Sequence, residues 1–323
     1  MPDQKQNNYF PLQKGRYEVI PGLHSLGTDF GNGHADTLIF QLDTNFPRYR
    51  AEKMTARKER LAKYYCIDAL EPAQKSSVAQ FIIHRLCQEH PALFHYRRED
   101  NKHYLICQLS GDTLVFDPDF ALLNPRQNCN GYADCIDALA MQVQEDFALV
   151  EISHKGNDRI TALHLCLPNH WSAEDKIGQS FLRSHAPVPG MDKINRHADP
   201  LLTNLLKRGP FVRFAWGVAT DDRLNHHPVA PAGANLDEWR GRQFNPSNPE
   251  LYLRVERQVI QGLPVVNTLL FTIRTYFYDI RHLKQSSEKR QALCSALQSM
   301  SAATLRYKGL SESLPLILEW LEK

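Results

Sequence analysis

LYLRVERQVIQGLPVVNTLLFTIRTY, Leu251 to Tyr276, reads as two long strands around a tight reversal. Side chains alternate across a strand, so Leu251, Leu253, Val255 and Arg257 share one side, and Tyr252, Arg254, Glu256 and Gln258 the other. The same rule groups Thr268, Leu270, Thr272, Arg274, Tyr276 and Tyr278. With the turn near Leu263–Pro264, Glu256 falls opposite or diagonal to Thr272 and Arg274. One face of the hairpin is therefore expected to carry Tyr252, Arg254, Glu256, Arg274 and Tyr276. Cross-strand ion pairs on a wet face explain such a row at under about 1 kcal/mol each. Guanidinium groups that grip the carboxylates of a ligand through paired hydrogen bonds explain it equally well.

A second stretch, HLCLPNHWSAEDKIGQSFLRSHAPVPG, runs from His164 to Gly190. A helix is expected over Ala173–His185, capped by Ser172, with Glu174 and Asp175 at the favourable end of its dipole. Ile177, Phe181 and His185 recur every fourth residue and share one face. The two apolar members turn that face inward, and Pro187 ends the helix just beyond. His185 is thus delivered to the interior. There it is either a core histidine bonded to backbone or a metal ligand whose other ring nitrogen is held by an acceptor. Two other sites compete for a metal. His164, Cys166 and His170 have a spacing that a soft metal accepts, although an alternating strand explains the first two. His226-His227 sits in a polar loop.

Around these stretches the chain reads as α+β with an antiparallel sheet, because helices and hairpins are segregated. Helices are expected at Arg50–Tyr65, Lys75–Glu89, Tyr132–Asp146, Pro200–Lys207 and within Glu288–Leu321. Strands are expected at His103–Leu109, Thr113–Asp117, Phe147–Ser153, Arg159–Leu167 and Phe211–Val218. His154-Lys155-Gly156-Asn157-Asp158 has the residues of a hairpin turn. Ala219–Glu250 has no period and is long for a connector. Its Trp239, with Arg240 and Arg242 alongside, suits a lid over a pocket. Gly31 and Gly33 lack the third glycine and the strand–helix frame of a dinucleotide site. Residues 1–100 form a loop and helical segment packed on the core, 101–280 the core itself, and 281–323 a helical tail, together one structural domain.

Composition narrows the class. The 323 residues are 42% hydrophobic and 23% charged with a net charge of +2, which argues against a nucleic-acid surface or a polybasic membrane anchor. The apolar run Val265–Phe271 is too short to span a bilayer, and MPDQKQNNYF has no secretory character. Seven cysteines, odd in number and without a C-x-x-C, suit a reduced compartment and give no basis for a zinc ribbon or an iron–sulfur cluster. The nearest pair, Cys129 and Cys135, is read as reduced and buried. A cytoplasmic protein is expected.

The motifs together resemble the haem-dependent oxidative N-demethylase alpha-subunit-like family. The similar segments are Phe46–Tyr65, Pro91–Arg97, Cys166-Leu-Pro168-Asn-His-Trp171, Ser184-His185-Ala-Pro187-Val-Pro189-Gly190, Arg254-Val-Glu256-Arg257-Gln258, and Phe271-Thr272-Ile273-Arg274-Thr275-Tyr276. They cover about Phe40 to Tyr278. The resemblance implies a PAS-like antiparallel sheet with flanking helices that holds haem b. It implies His185 as iron ligand, Arg254, Arg257, Arg274 and Trp171 as cofactor-binding, and Glu256 and Tyr276 as catalytic. The implied reaction is oxygen-dependent N-demethylation of a small secondary amine such as dimethylamine, releasing formaldehyde. The electrons would come from a separate flavin/iron–sulfur reductase subunit, since this chain shows no flavin, nicotinamide or cluster motif. Two segments depart from the family pattern: Arg213-Phe-Ala215-Trp216 has alanine where asparagine is usual, and Tyr278-Asp279 replaces an apolar–proline ending. The competing reading is a non-catalytic PAS-like sensor that binds haem or another small ligand.

Overall fold

The computed structural model describes residues 7–123, 131–153, 158–240 and 243–323. Cys129, the His154–Asn157 reversal and Arg242 lie outside them. The strands are β1 (His24–Ser25), β2 (Tyr65–Ile67), β3 (Phe94–Glu99), β4 (Lys102–Cys107), β5 (Thr113–Phe116), β6 (Asp146–Ile152), β7 (Asp158–His164), β8 (Phe211–Ala219), β9 (Tyr252–Leu263) and β10 (Thr268–Asp279). Seven of them make one sheet in the order β1-β8-β9-β10-β6-β7-β2, antiparallel throughout, and β3-β4-β5 make a small second sheet. The helices are α1 (Phe46–Tyr64), α2 (Pro72–Glu89), α3 (Cys135–Ala140), α4 (Ala173–Lys176), α5 (Phe181–His185), α6 (Asp192–Asn195), α7 (Ala198–Arg208), α8 (Leu236–Arg240), α9 (Ile280–Leu283), α10 (Ser287–Gln298), α11 (Ala302–Tyr307) and α12 (Leu314–Glu322). The expected α+β class holds. No helix among the described residues is long and apolar enough to cross a membrane.

The β9–β10 hairpin is the spine of the large sheet. A short 3-10 turn at Pro264–Val266 closes it, and Asn267 takes the left-handed conformation (φ 48°) that asparagine tolerates. Leu263 pairs with Thr268, so odd-numbered β9 residues stand across from even-numbered β10 residues. Arg257 therefore faces Arg274, and Val255 faces Tyr276, while Arg254 and Glu256 lie across from Phe277 and Thr275. Facing residues in an antiparallel ladder project to the same side. The expected shared face is thereby corrected: Arg254 and Glu256 lie on one side of the sheet, here the front. Arg257, Arg274 and Tyr276 lie on the back.

Both sides are covered. On the back, Val78, Ile82 and Leu86 of α2, with Phe94, Leu105 and Phe116 of the small sheet, pack against Phe147, Leu149, Val259 and Leu270. Further along, Leu293, Leu297, Ile317 and Leu321 of the C-terminal helices meet Leu253, Val255 and Tyr276. On the front, Leu202, Leu205 and Leu206 of α7 cover Ile260 and Leu269. Trp171, Ala173 and Ile177 cover Ala148, Leu163 and Ile273.

Several expected elements change. Helix Tyr132–Asp146 shrinks to α3, because Asp146 already opens β6 and Gln144 and Glu145 turn to accept the backbone N–H groups of Asp43 and Gln41. Strand β3 is an addition. The expected helix Ala173–His185 breaks into α4 and α5 at Gly178, whose φ is +74°. Ile177 falls in the break, so only Phe181 and His185 keep their four-residue relation on a helix.

Candidate functional site

The break that splits the helix also aims it. Gly178 N–H donates to Ile160 O, and Ile160 N–H donates to Gln179 O, so the break is stitched to β7. A Cβ on Gly178 would stand 2.5 Å from the Asp68 carboxylate, which pairs with Arg159. Ser180 then caps the short α5 by accepting from Arg183 N–H, and Asp158 accepts from Phe181 N–H. At the last turn, His185 Nδ1 lies 2.9 Å from Phe181 O. A carbonyl only accepts, so Nδ1 carries the proton and Nε2 keeps its lone pair. Nε2 has no hydrogen-bond partner among the described residues. The ring stacks on Phe181 at 4.4 Å. Burial pushes the imidazole down to about 4, the Phe181 carbonyl opposing it and the charges of Lys176 and Arg213 adding to it. His185 is a neutral imidazole with an open nitrogen, the state a transition metal requires.

Arg213 belongs to the front face, across from Gln258 on β9. Next along β9 come Glu256, across from Ala215, and Arg254, across from Gly217. Glu256 Oε1 lies 3.4 Å from Arg254 Nη1, and Glu256 Oε2 accepts from Gln258 Nε2 at 3.0 Å. Arg254 Nη2 donates to Leu167 O at 3.0 Å and Thr275 Oγ1 at 3.3 Å. Yet among the described residues Arg254 Nε and Nη1, and Arg213 Nε, are buried with no hydrogen-bond partner, as are Arg257 Nη1 and Arg274 Nε and Nη1 on the back. Burial pulls both guanidinium groups below their ordinary range, and Glu256 counters it in each case. Buried donors of this kind are costly and call for an acceptor. The front face thus joins a free imidazole nitrogen to two guanidinium groups with unused N–H bonds. This set suits a metal centre that carries carboxylates.

The segment after β7 and the long 220–250 connection close one end of this face. His226 N–H donates to Pro168 O, and His170 N–H donates to His226 O. The His226 Nε2 lies 2.7 Å from Asp221 Oδ1, and its buried Nδ1 has no partner. Burial lowers the His226 basicity in spite of Asp221, and the nearby Arg254 charge lowers it further. Trp239 donates its indole N–H to His227 O and receives Arg223 over its ring, so the connection is anchored where its tryptophan suggested. Arg240 is exposed.

The other expected residues lie across the sheet. Arg257 is bound through two nitrogens to Asp36, at 2.7 and 2.6 Å. Arg274 pairs with Asp43 at 2.9 Å and stacks on Tyr49. Tyr276 donates its hydroxyl to Gln41 Oε1. Arg274 and Tyr276 reach the wall of a cleft of about 450 Å3 at the strand ends, beside Arg48 and Tyr252. The structure therefore unites His185, Trp171, Arg254 and Glu256 on the front and separates Arg257, Arg274 and Tyr276 from them. Arg213 was absent from the expected set, although alternation in Phe211–Ala219 already places it beside Ala215 and Gly217.

Of the competing metal sites, His164 and Cys166 do meet, with Asp146 rather than His170. Both Asp146 oxygens accept backbone N–H groups, from Cys166 and Leu167. Lys53 lies 3.8 Å from Asp146 and also donates to Ala140 O and Val143 O. His164 Nε2 bonds to Asp137, which also holds Arg57. These partners tie α1 and α3 to the sheet.

Residues 34–318 match the model of a protein family described as haem-dependent oxidative N-demethylase, alpha subunit-like.

Proposed function

Because the chain belongs to the haem-dependent oxidative N-demethylase alpha-subunit-like family, we propose that it binds haem b between α5 and the front face of the sheet and oxidatively demethylates a small N-methyl amine. The observation that carries the reading is the His185 tautomer: Nδ1–H on a backbone carbonyl and Nε2 without a hydrogen-bond partner among the described residues. The PAS-like description is supported by connectivity. β6 and β7 form one side of the sheet, the chain passes through α4–α7, and β8, β9 and β10 complete the sheet from the opposite edge.

The residues present fit the group. His185 would ligate iron through Nε2, and Arg213 would offer its unused Nε–H to a haem carboxylate. Trp171 and Phe271, packed against Ala148 and Ile273, are the half-buried apolar side chains on the same face. When bound, haem supplies oxygen activation, and one O2, two electrons and two protons convert an N-methyl amine to the demethylated amine, formaldehyde and water. The protein's share is positioning and charge. Glu256 presents a carboxylate on the front face of the sheet, where it would accept a hydrogen bond from the substrate ammonium. The apolar cover from α4 and α7 limits water on this face. Electrons would come from a reductase subunit, in keeping with the "alpha subunit" of the family description.

Purified protein reconstituted with haem should show a Soret band that His185→Ala abolishes or moves to that of a differently ligated haem. With a reductase supplied, the wild type should release formaldehyde from an N-methyl amine in the presence of oxygen. An unchanged spectrum in the variant would move the ligand elsewhere. A haem-loaded protein that releases no formaldehyde from any amine would favour a sensor.

A further inference from the structure

Arg254 and Glu256 carry opposite charges side by side on the front face without consuming one another. Their closest approach is 3.4 Å and is not aligned as a hydrogen bond, since Arg254 Nη1 counts among the donors without a partner. The guanidinium is not free to swing, because Nη2 is pinned to Leu167 O and Thr275 Oγ1. Three N–H bonds, one on Nε and two on Nη1, are left over. Beside Arg254 stands an unused acceptor, the buried Nδ1 of His226, whose ring is held through Nε2 by Asp221.

The neighbouring strand leaves room. Ala215 and Gly217 face Glu256 and Arg254 across the ladder, and a Cβ added to Gly217 would meet only the end of Lys308, at 3.7 Å. A guest that satisfies this set must accept at Arg254 and donate at Glu256 or His226, with the two functions only a few ångströms apart. A dialkylamine has no acceptor for the guanidinium. An α-amino acid has both groups at that spacing.

We propose that Arg254, Glu256 and His226 form a subsite for a zwitterionic substrate, an N-methylated α-amino acid, whose carboxylate binds Arg254 and whose ammonium binds Glu256. This rests on the reading of the front face as the amine-oxidising site. The carboxylate on Arg254 could instead be one of haem's own, and the experiment separates the two sources.

Calorimetric titration of the haem-loaded full chain with N-methylglycine, its methyl ester and dimethylamine reads the subsite directly. Repeating it on the haem-free chain reads it independently of the cofactor. N-methylglycine should bind about 10- to 100-fold more tightly than the ester, the range expected for hydrogen bonds to a charged group. Arg254→Gln should lose that advantage while keeping the wild-type haem content and Soret band. Gly217→Val, which fills the space and keeps Arg254, Glu256 and His226, should weaken N-methylglycine binding likewise and serves if Arg254→Gln does not fold. Equal affinity for the acid and its ester in the wild type would overturn the proposal. So would loss of haem from a folded Arg254→Gln protein, because the guanidinium would then serve the cofactor. Oxidation of dimethylamine without binding of N-methylglycine would overturn it too and leave the proposed reaction standing. A chain that binds N-methylglycine but never haem would sink the reaction and leave the subsite.

Discussion

Neutrality is the property that prepares His185, and it has a measurable consequence in the haem-free protein. The unfolded imidazole titrates at its ordinary 6.5 and the folded one at about 4. Between these values the unfolded chain binds more protons than the folded one, so stability falls as pH drops through that window and is untouched above it. The total is roughly 3.4 kcal/mol, of which ~2.5 is lost by pH 4.5. Urea melts at pH 7 and pH 4.5 should show this loss, and His185→Gln should flatten it. A second residue-scale expectation concerns the back face. Arg257 is fully buried and bound to Asp36, which also accepts from Tyr9 at 2.9 Å. Arg257→Leu strands a buried carboxylate and should cost about 3–5 kcal/mol. Thermal melts should record that cost while the Soret band of the surviving folded protein stays in place. Loss of haem at unchanged stability would return Arg257 to the cofactor.

Among the elements, the α4–α5 break decides where the histidine points. A continuous helix over Ala173–His185 would be favoured by local propensity, but Gly178 at φ +74° and its bond to Ile160 O end α4 and let Ser180 start again. Gly178→Ala meets both a strained backbone and the Asp68 carboxylate at 2.5 Å. A cost of about 1–2 kcal/mol is expected from the backbone alone. Because α5 would shift with it, haem affinity should fall by more than stability does. Haem transfer to an apo-globin acceptor measures the first and chemical denaturation the second. Equal affinity in the two proteins would show that α5 is aimed by something other than this break.

At the scale of the whole molecule, the 220–250 connection links the front face to α1, with Leu224 packed among Tyr49, Tyr64 and Leu167. Exposed Leu236 in α8 offers a cleavage site, and Trp239 anchors the segment behind it. Chymotryptic digestion should slow on haem binding and accelerate in Trp239→Ala; identical rates in all three states would mean that this segment does not respond to the site.

Alternation by itself determined that Leu251–Tyr278 makes two strands, that Arg254 and Glu256 share one side of the first strand and Arg257 takes the other, and that Phe181 and His185 stack one helical turn apart. These are short-range consequences of backbone geometry, readable wherever a period is visible. Tertiary structure alone decided which charges meet. Whether Arg254 and Glu256 share a face with Arg274 and Tyr276 turns on the parity of one pairing, Leu263 with Thr268, and whether Arg213 joins them turns on its pairing with Gln258. No side-chain period within either strand encodes that parity. Likewise the partners of Arg257 and Arg274 are aspartates 221 and 231 residues away. Only the packing of residues 36–43 against the back of the sheet gives those two arginines carboxylate partners, while Arg213 and Arg254 on the front share the single carboxylate of Glu256.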